Sequence, residues 1–167
     1  MRNIVLIGMP GVGKSTAGVI LAKVLGYQFV DADLLIQEEE GRLLHEIIQQ
    51  EGTDGFIEIE NRVNASIEAD KSVIATGGSV VYGTEAMEHL KKIGIVVYLK
   101  LPFELLNKRL QDIKSRGVVL KEGQTLRDLY EERVPLYEKY ADIIVDETGS
   151  DVEQTIQKIA EALKIRE

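Results

Sequence analysis

Residues 3–16 read NIVLIGMPGVGKST, and the fold turns on them. Asn3–Ile7 is a short apolar run stopped by Gly8, the pattern of a buried strand. Gly8-Met9-Pro10-Gly11-Val12-Gly13-Lys14-Ser15 satisfies G-x-x-x-x-G-K-[ST] in full. From Lys14 to Leu25 the residues Ala17, Ile20, Leu21, Val24 and Leu25 recur at helical spacing, and Gly26 ends the run. Strand, glycine-rich turn and helix therefore follow one another without a gap. In that setting the glycines let backbone N–H groups curl inward around phosphate oxygens. The helix adds the positive end of its dipole. Gly11, Val12 and Gly13 supply amides, Lys14 reaches the outer phosphates, and Ser15 offers a hydroxyl to Mg²⁺. Thr16 is placed for the inner phosphate.

Outward from this loop, strands and helices alternate to the end of the chain. Strands are predicted at Gln28–Val30, Ser72–Ala75, Ile95–Leu99 and Asp142–Val145. Helices are predicted at Leu34–Glu40, Leu43–Gln50, Asp54–Ala69, Thr84–Lys92, Phe103–Lys114, Leu126–Ala141 and Val152–Ile165. Arg116–Gln124, with two glycines and mixed charge, reads as a loop. Five strands separated by helices predict an α/β fold with a parallel sheet covered on both faces. No linker or repeat interrupts it, so one domain over residues 1–167 is expected. A ligand in such a sheet lies at the carboxyl ends of the strands. Gly8, Asp31, Gly77 and the segment after Leu99 all fall there.

Composition narrows the functions. The chain has 167 residues, 44% hydrophobic and 29% charged, with a net charge of −8. That charge disfavours nucleic acid and anionic membranes as partners, so any phosphate must be held by a local cluster. No run approaches the ~18 apolar residues of a membrane span. The opening residues lack the long apolar run of a signal peptide. With no cysteine, disulfides and thiolate metal sites are excluded, which fits a reducing cytoplasm. His45 and His89 share no metal-ligand spacing and read as surface or packing residues remote from the strand ends.

Asp31-Ala32-Asp33 leaves the second strand directly, and alternation sends both carboxylates to one side. Facing a phosphate loop, one can hold Mg²⁺ and the other can accept a proton from an attacking hydroxyl. Asp33 also reads as an N-cap for the helix that follows.

These residues resemble the shikimate kinase family over nearly the whole chain. The resemblance is carried by Gly8–Ser15, Asp31-Ala32-Asp33, Phe56, Glu60, Gly77-Gly78, Arg109, Arg116 and Glu132-Arg133-Val134-Pro135-Leu136-Tyr137. It implies a three-layer P-loop NTPase fold with strand order 2-3-1-4-5 and a lid over about residues 112–125. ATP and Mg²⁺ are the implied cofactors, and a small hydroxylated molecule, most directly shikimate, is the implied acceptor. In such a protein Asp31 assists Mg²⁺ and Asp33 activates the acceptor hydroxyl. Gly77 and Gly78 allow close approach, with Glu60 and Ser79 beside them. Arg133 pairs with the acceptor carboxylate, Arg109 stacks on adenine, and Arg116 closes onto the transferring phosphate. A monomer is expected.

Three positions depart from the family. Ile57 stands where an arginine usually follows the phenylalanine and grips the carboxylate. Ser79 replaces the third glycine of a triple. Gly117 replaces a proline after the lid arginine. Arg62, about 140° further round the helix, is a poor substitute for the missing arginine. The departures keep open a kinase of another polyol or sugar acid, while Arg133, Asp33 and Glu60 favour shikimate. A nucleotide-binding regulator without transfer activity is the alternative of another class. Retention of Lys14, Ser15, Asp31, Asp33 and Arg116 speaks against it.

Overall fold

A computed structural model describes residues 2–112 and 123–165. Arg116, Gly117 and most of the expected lid lie outside the described residues.

Strand β1 (Asn3–Ile7) is buried at every position, because it has a strand on each side and helices on both faces. It pairs in parallel with β3 (Ser72–Ala75) and β4 (Gly94–Lys100). The outer strands are β2 (Gln28–Asp31), beside β3, and β5 (Ile143–Asp146), beside β4. The order β2-β3-β1-β4-β5 is the expected one. At the edge, β5 alternates buried and exposed residues, as a strand covered on one face must. The amino end of the sheet is tied by Asn3, which is buried. Its side chain donates to Ala69 and Ile93 carbonyls and accepts from the Ser72 amide.

The helices are α1 (Lys14–Leu25), α2 (Ala32–Glu40), α3 (Leu44–Ala65), α4 (Thr84–Ile93), α5 (Phe103–Asp112), α6 (Leu126–Tyr140) and α7 (Val152–Ile165). The two helices expected between residues 43 and 69 are joined into α3 around a break at Gly52, whose φ is 76° and ψ 177°. Only glycine holds that backbone without strain. The second arm stops at Ala65, short of the expected Ala69. There the turn tightens, and Ser66 and Ile67 amides donate to the carbonyls of Val63 and Asn64. Among the described residues no helix is long and apolar enough to cross a membrane.

The core consists of the sheet, the inner faces of α1, α4, α6 and α7, and a smaller cluster of Ile36, Ile47, Phe56 and Val63 between α2 and α3. That satellite cluster anchors α2 and α3 to each other beside the carboxyl ends of β2 and β3.

Candidate active site

A cleft of about 620 Å³ opens at the carboxyl ends of β1, β2 and β3. Its floor is the β1–α1 turn, and Lys14, Ser15, Thr16, Asp33 and Gly77 line it. A small annex of about 40 Å³ continues inward between Asp33, Glu60, Gly77, Ser79 and Arg133.

The loop half is built from backbone. Gly13 caps α1 with φ 86° and ψ 29°, a left-handed conformation that leaves the first helical amides free for an anion. Lys14 is folded back onto this loop, its ammonium donating to the carbonyls of Gly8 at 2.7 Å and Met9 at 2.9 Å. Only 8% of it is exposed. Burial lowers its pKa to about 8, and Arg133 adds repulsion against the attraction of Asp33, Glu147 and Glu60. Arg109, exposed on α5, donates to the Gly11 carbonyl at 3.3 Å, so it sits at the rim of the loop.

Asp31, and not Asp33, caps α2. One Asp31 oxygen accepts from the amides of Asp33 and Leu34, and the other accepts from Ser15 Oγ at 3.3 Å. The cap frees the Asp33 carboxylate to face the cleft. Burial raises the Asp33 pKa, Asp31 pushes it further, and Lys14 opposes them. Ser15 and Asp31 together present hard oxygen donors beside the loop, a set that suits Mg²⁺.

The inner half is built from side chains. Glu60 on α3 is 1% exposed, and burial pushes its pKa up to about 7. Its Oε1 accepts a short bond of 2.5 Å from Ser79 Oγ. A β-carbon on Gly77 would lie 2.7 Å from Glu60 Oε2 and 2.8 Å from Asp33 Oδ1, so the two carboxylates meet across this glycine. One on Gly78 would lie 2.8 Å from Pro10 and 2.9 Å from Arg133 Nη1. Arg133 is 1% exposed, lies over the Tyr82 ring and donates from Nε to the Tyr82 hydroxyl at 3.4 Å. It is therefore no solvated helix residue.

The sequence-derived residues thus converge on one cleft, with Arg109 at its edge and Arg116 outside the described residues. Arg62 turns to Glu40 at 3.0 Å and offers nothing to the annex. The hydroxyl of Ser79 is engaged by Glu60. His45, expected to be remote, lines the cleft, because the first turn of α3 folds over its mouth. His89 bonds the Ile67 carbonyl and is a packing residue.

Sequence reading gave Tyr137 no role beyond its place in the family string, and it missed Tyr82 and Glu147. The Tyr137 hydroxyl donates to the Gly78 carbonyl at 2.6 Å, and its ring stacks on Tyr98 in the core. It locks α6, and hence Arg133, to the β3 turn. Its place four residues after Arg133 was the available signal, since that spacing puts both on one helix face. Glu147, just past β5, is 6% exposed with one oxygen unpartnered among the described residues. Burial raises its pKa to about 7, against the pull of Arg109 and Lys14. Nothing in the local sequence marked it.

A parallel sheet of this order, with this loop and two convergent carboxylates, defines an ATP-dependent kinase of small molecules. Residues 10–164 match a family model described as shikimate kinase. A shikimate kinase of Thermodesulfovibrio yellowstonii is 38% identical over 162 residues, covering 95% of this chain and 93% of that one. One from Clostridium botulinum strain Langeland is 40% identical over 169 residues, covering 98% and 97%. Among solved structures, shikimate kinase from Acinetobacter baumannii in complex with shikimate superposes with a TM-score of 0.88. It is 35% identical, covering 100% of this chain and 95% of that one. A Janibacter sugar kinase, 17% identical with a TM-score of 0.60 over 99% and 95% of the two chains, shares the fold alone. The chain belongs to the shikimate kinase family.

Proposed function

We propose that the protein transfers the γ-phosphoryl group of ATP to a hydroxyl of shikimate, giving shikimate 3-phosphate and ADP. The observation that carries this reading is the shared cleft: Lys14 and Asp33 line it together, and the buried Arg133 walls its inner annex. A lysine for phosphate, a carboxylate for a hydroxyl and an arginine for a carboxylate match the three functional parts of such a reaction.

The acceptor oxygen forms a bond to the γ-phosphorus as the bond from that phosphorus to the β–γ bridging oxygen breaks. Asp33 takes the hydroxyl proton, and burial, which raises its pKa, makes it a stronger proton acceptor than a solvated aspartate. Lys14 swings from the Gly8 and Met9 carbonyls to the phosphates and balances their charge. The amides of Gly11, Val12, Gly13, Ser15 and Thr16 cradle the phosphates. Ser15 and Asp31 would hold Mg²⁺, which when bound neutralises phosphate charge. Arg109 bounds the adenine side, and Arg116 adds positive charge from the segment outside the described residues. Arg133 grips the acceptor carboxylate, with Glu60, Gly77, Gly78 and Ser79 around the ring. We also propose that the protein works in the cytoplasm, a compartment compatible with a chain that holds no cysteine, and that it works as a monomer.

The test is ADP release from Mg²⁺-ATP with shikimate against a panel of polyols and sugar acids. Shikimate-dependent turnover by the unaltered chain is expected, and Ile57→Arg should lower the shikimate KM by roughly tenfold or more by adding a second charged donor. Silence on shikimate with turnover on another acceptor would overturn the reading and make Ile57 a specificity determinant for that acceptor.

A further inference from the structure

We propose that Ser79 is a positioning residue: it holds Glu60 so that the second oxygen of that carboxylate accepts a hydrogen bond from an acceptor hydroxyl adjacent to the one that faces Asp33. The inference rests on the proposed function and deepens it. It assigns the acceptor as an acid with two neighbouring hydroxyls, one read by Asp33 and the other by Glu60.

Three observations carry it. First, Glu60 is held from one side only. Ser79 Oγ donates to Oε1, both residues are at least 97% buried, and Oε2 is buried with no hydrogen-bond partner among the described residues. A buried acceptor left without a donor is costly and uncommon, so its partner arrives with the ligand. Second, Asp33, Glu60 and Ser79 all line the annex of about 40 Å³, which is room for a hydroxyl. Glu60 Oε2 and Asp33 Oδ1 lie 2.7 Å and 2.8 Å from where a β-carbon on Gly77 would stand, so the two carboxylates converge on this glycine beside the annex. Third, Ile57 lies three residues before Glu60 on α3, a spacing that makes them neighbours on one helix face. An arginine there would supply Glu60 with a donor. Isoleucine has none, and Ser79, arriving from the β3 turn, provides it across the fold.

Ionisation follows the same contacts. The groups acting on Glu60 are the Ser79 hydroxyl, Asp33, Arg133 and Lys14. Burial raises its pKa to about 7, while the Ser79 bond, Arg133 and Lys14 pull it down. Removing the hydroxyl therefore raises it further, and the carboxylate that receives the acceptor hydroxyl is lost at a higher pH.

The experiment is Ser79→Ala and Ser79→Gly, with shikimate and with an analogue lacking the hydroxyl next to the phosphorylated one. With shikimate, KM should rise roughly 10- to 100-fold, the range for a lost bond to a charged group, with the ATP KM unchanged. The acid limb of kcat/KM should move to higher pH. With the analogue, the substitution should have little effect, because the contact it supports is gone. A wild type silent on shikimate overturns the function and this inference together. A wild type active on shikimate, with Ser79→Ala equal to it in KM and acid limb, overturns the inference alone. So does an equal loss on both acceptors or in ATP affinity, which marks general damage to the site. Unchanged ATP affinity in either variant certifies the fold.

Discussion

The loop half of the cleft is one continuous stretch, Gly8–Ser15, whereas the inner half draws Asp33, Glu60, Ser79 and Arg133 from α2, α3, the turn after β3, and α6. The loop half is made of backbone amides and is open to solvent at Ser15 and Thr16. The inner half is made of side chains, two of them charged and only 1% exposed. Backbone amides keep their direction whatever the neighbouring side chains are, so a glycine-rich loop tolerates change around it. A buried carboxylate and guanidinium depend on every partner, because desolvation is offset only by contacts with correct geometry. Variation in acceptor recognition is therefore felt at positions such as Ile57 and Ser79, while the loop keeps its full pattern.

The sharpest way to break this comparison is to remove the chemistry from each half. Lys14→Ala should abolish measurable transfer. Asp33→Asn should lower kcat by roughly 10²- to 10⁴-fold, the range for a lost general base, while ATP affinity stays nearly intact. Equal losses in ATP affinity and turnover for Asp33→Asn would move that residue to the nucleotide half, and near-normal turnover in Lys14→Ala would sink the mechanism.

A second pair of variants compares the arginines. Arg133→Ala should raise the shikimate KM by roughly 30-fold to several thousand-fold, because it removes one partner of a buried charge pair. Arg109→Ala, at an exposed rim, should change only the ATP KM, and by a few-fold. A larger effect at Arg109, read in steady-state kinetics with each substrate varied in turn, would contradict the division between halves.

The smallest effect is on stability. Glu60 titrates at 4.5 when unfolded and at about 7 when folded. Between those values the folded protein holds more protons than the unfolded chain, so this residue's contribution to stability declines as pH rises. Glu60→Gln stays neutral throughout. Its stability relative to wild type should therefore increase by up to about 3 kcal/mol from pH 4.5 to pH 8. Urea unfolding at the two ends measures the gap, and a constant gap would mean that folding leaves the Glu60 pKa unshifted.

Much of this was legible in sequence, for a reason that the loop makes plain. Gly8–Ser15 acts through local backbone conformation, and local conformation is written in consecutive residues. The alternation of apolar strands with amphipathic helices likewise required a parallel sheet, and Gly77-Gly78 marked a close approach. Spacing alone left open whether Asp33 was a helix cap or a site residue, and it did not offer Asp31 as the cap. The answer came from which carboxylate reached the α2 amides. Spacing likewise said nothing of whether Arg133 faces solvent, and only the packing shows it buried.

The residues by themselves determined the phosphate loop, the parallel α/β sheet, the paired aspartates and the positions at odds with the family. Only the tertiary structure decided that Ser79 gives its hydroxyl to Glu60, that Lys14 rests on the Gly8 and Met9 carbonyls, that Tyr137 ties α6 to Gly78, and that Glu147 is buried near Lys14. Each of these depends on side chains brought together from distant elements, or on a rotamer chosen by burial. Neither is set by neighbours along the chain, since hydrogen-bond partners and desolvation arise only when the elements pack.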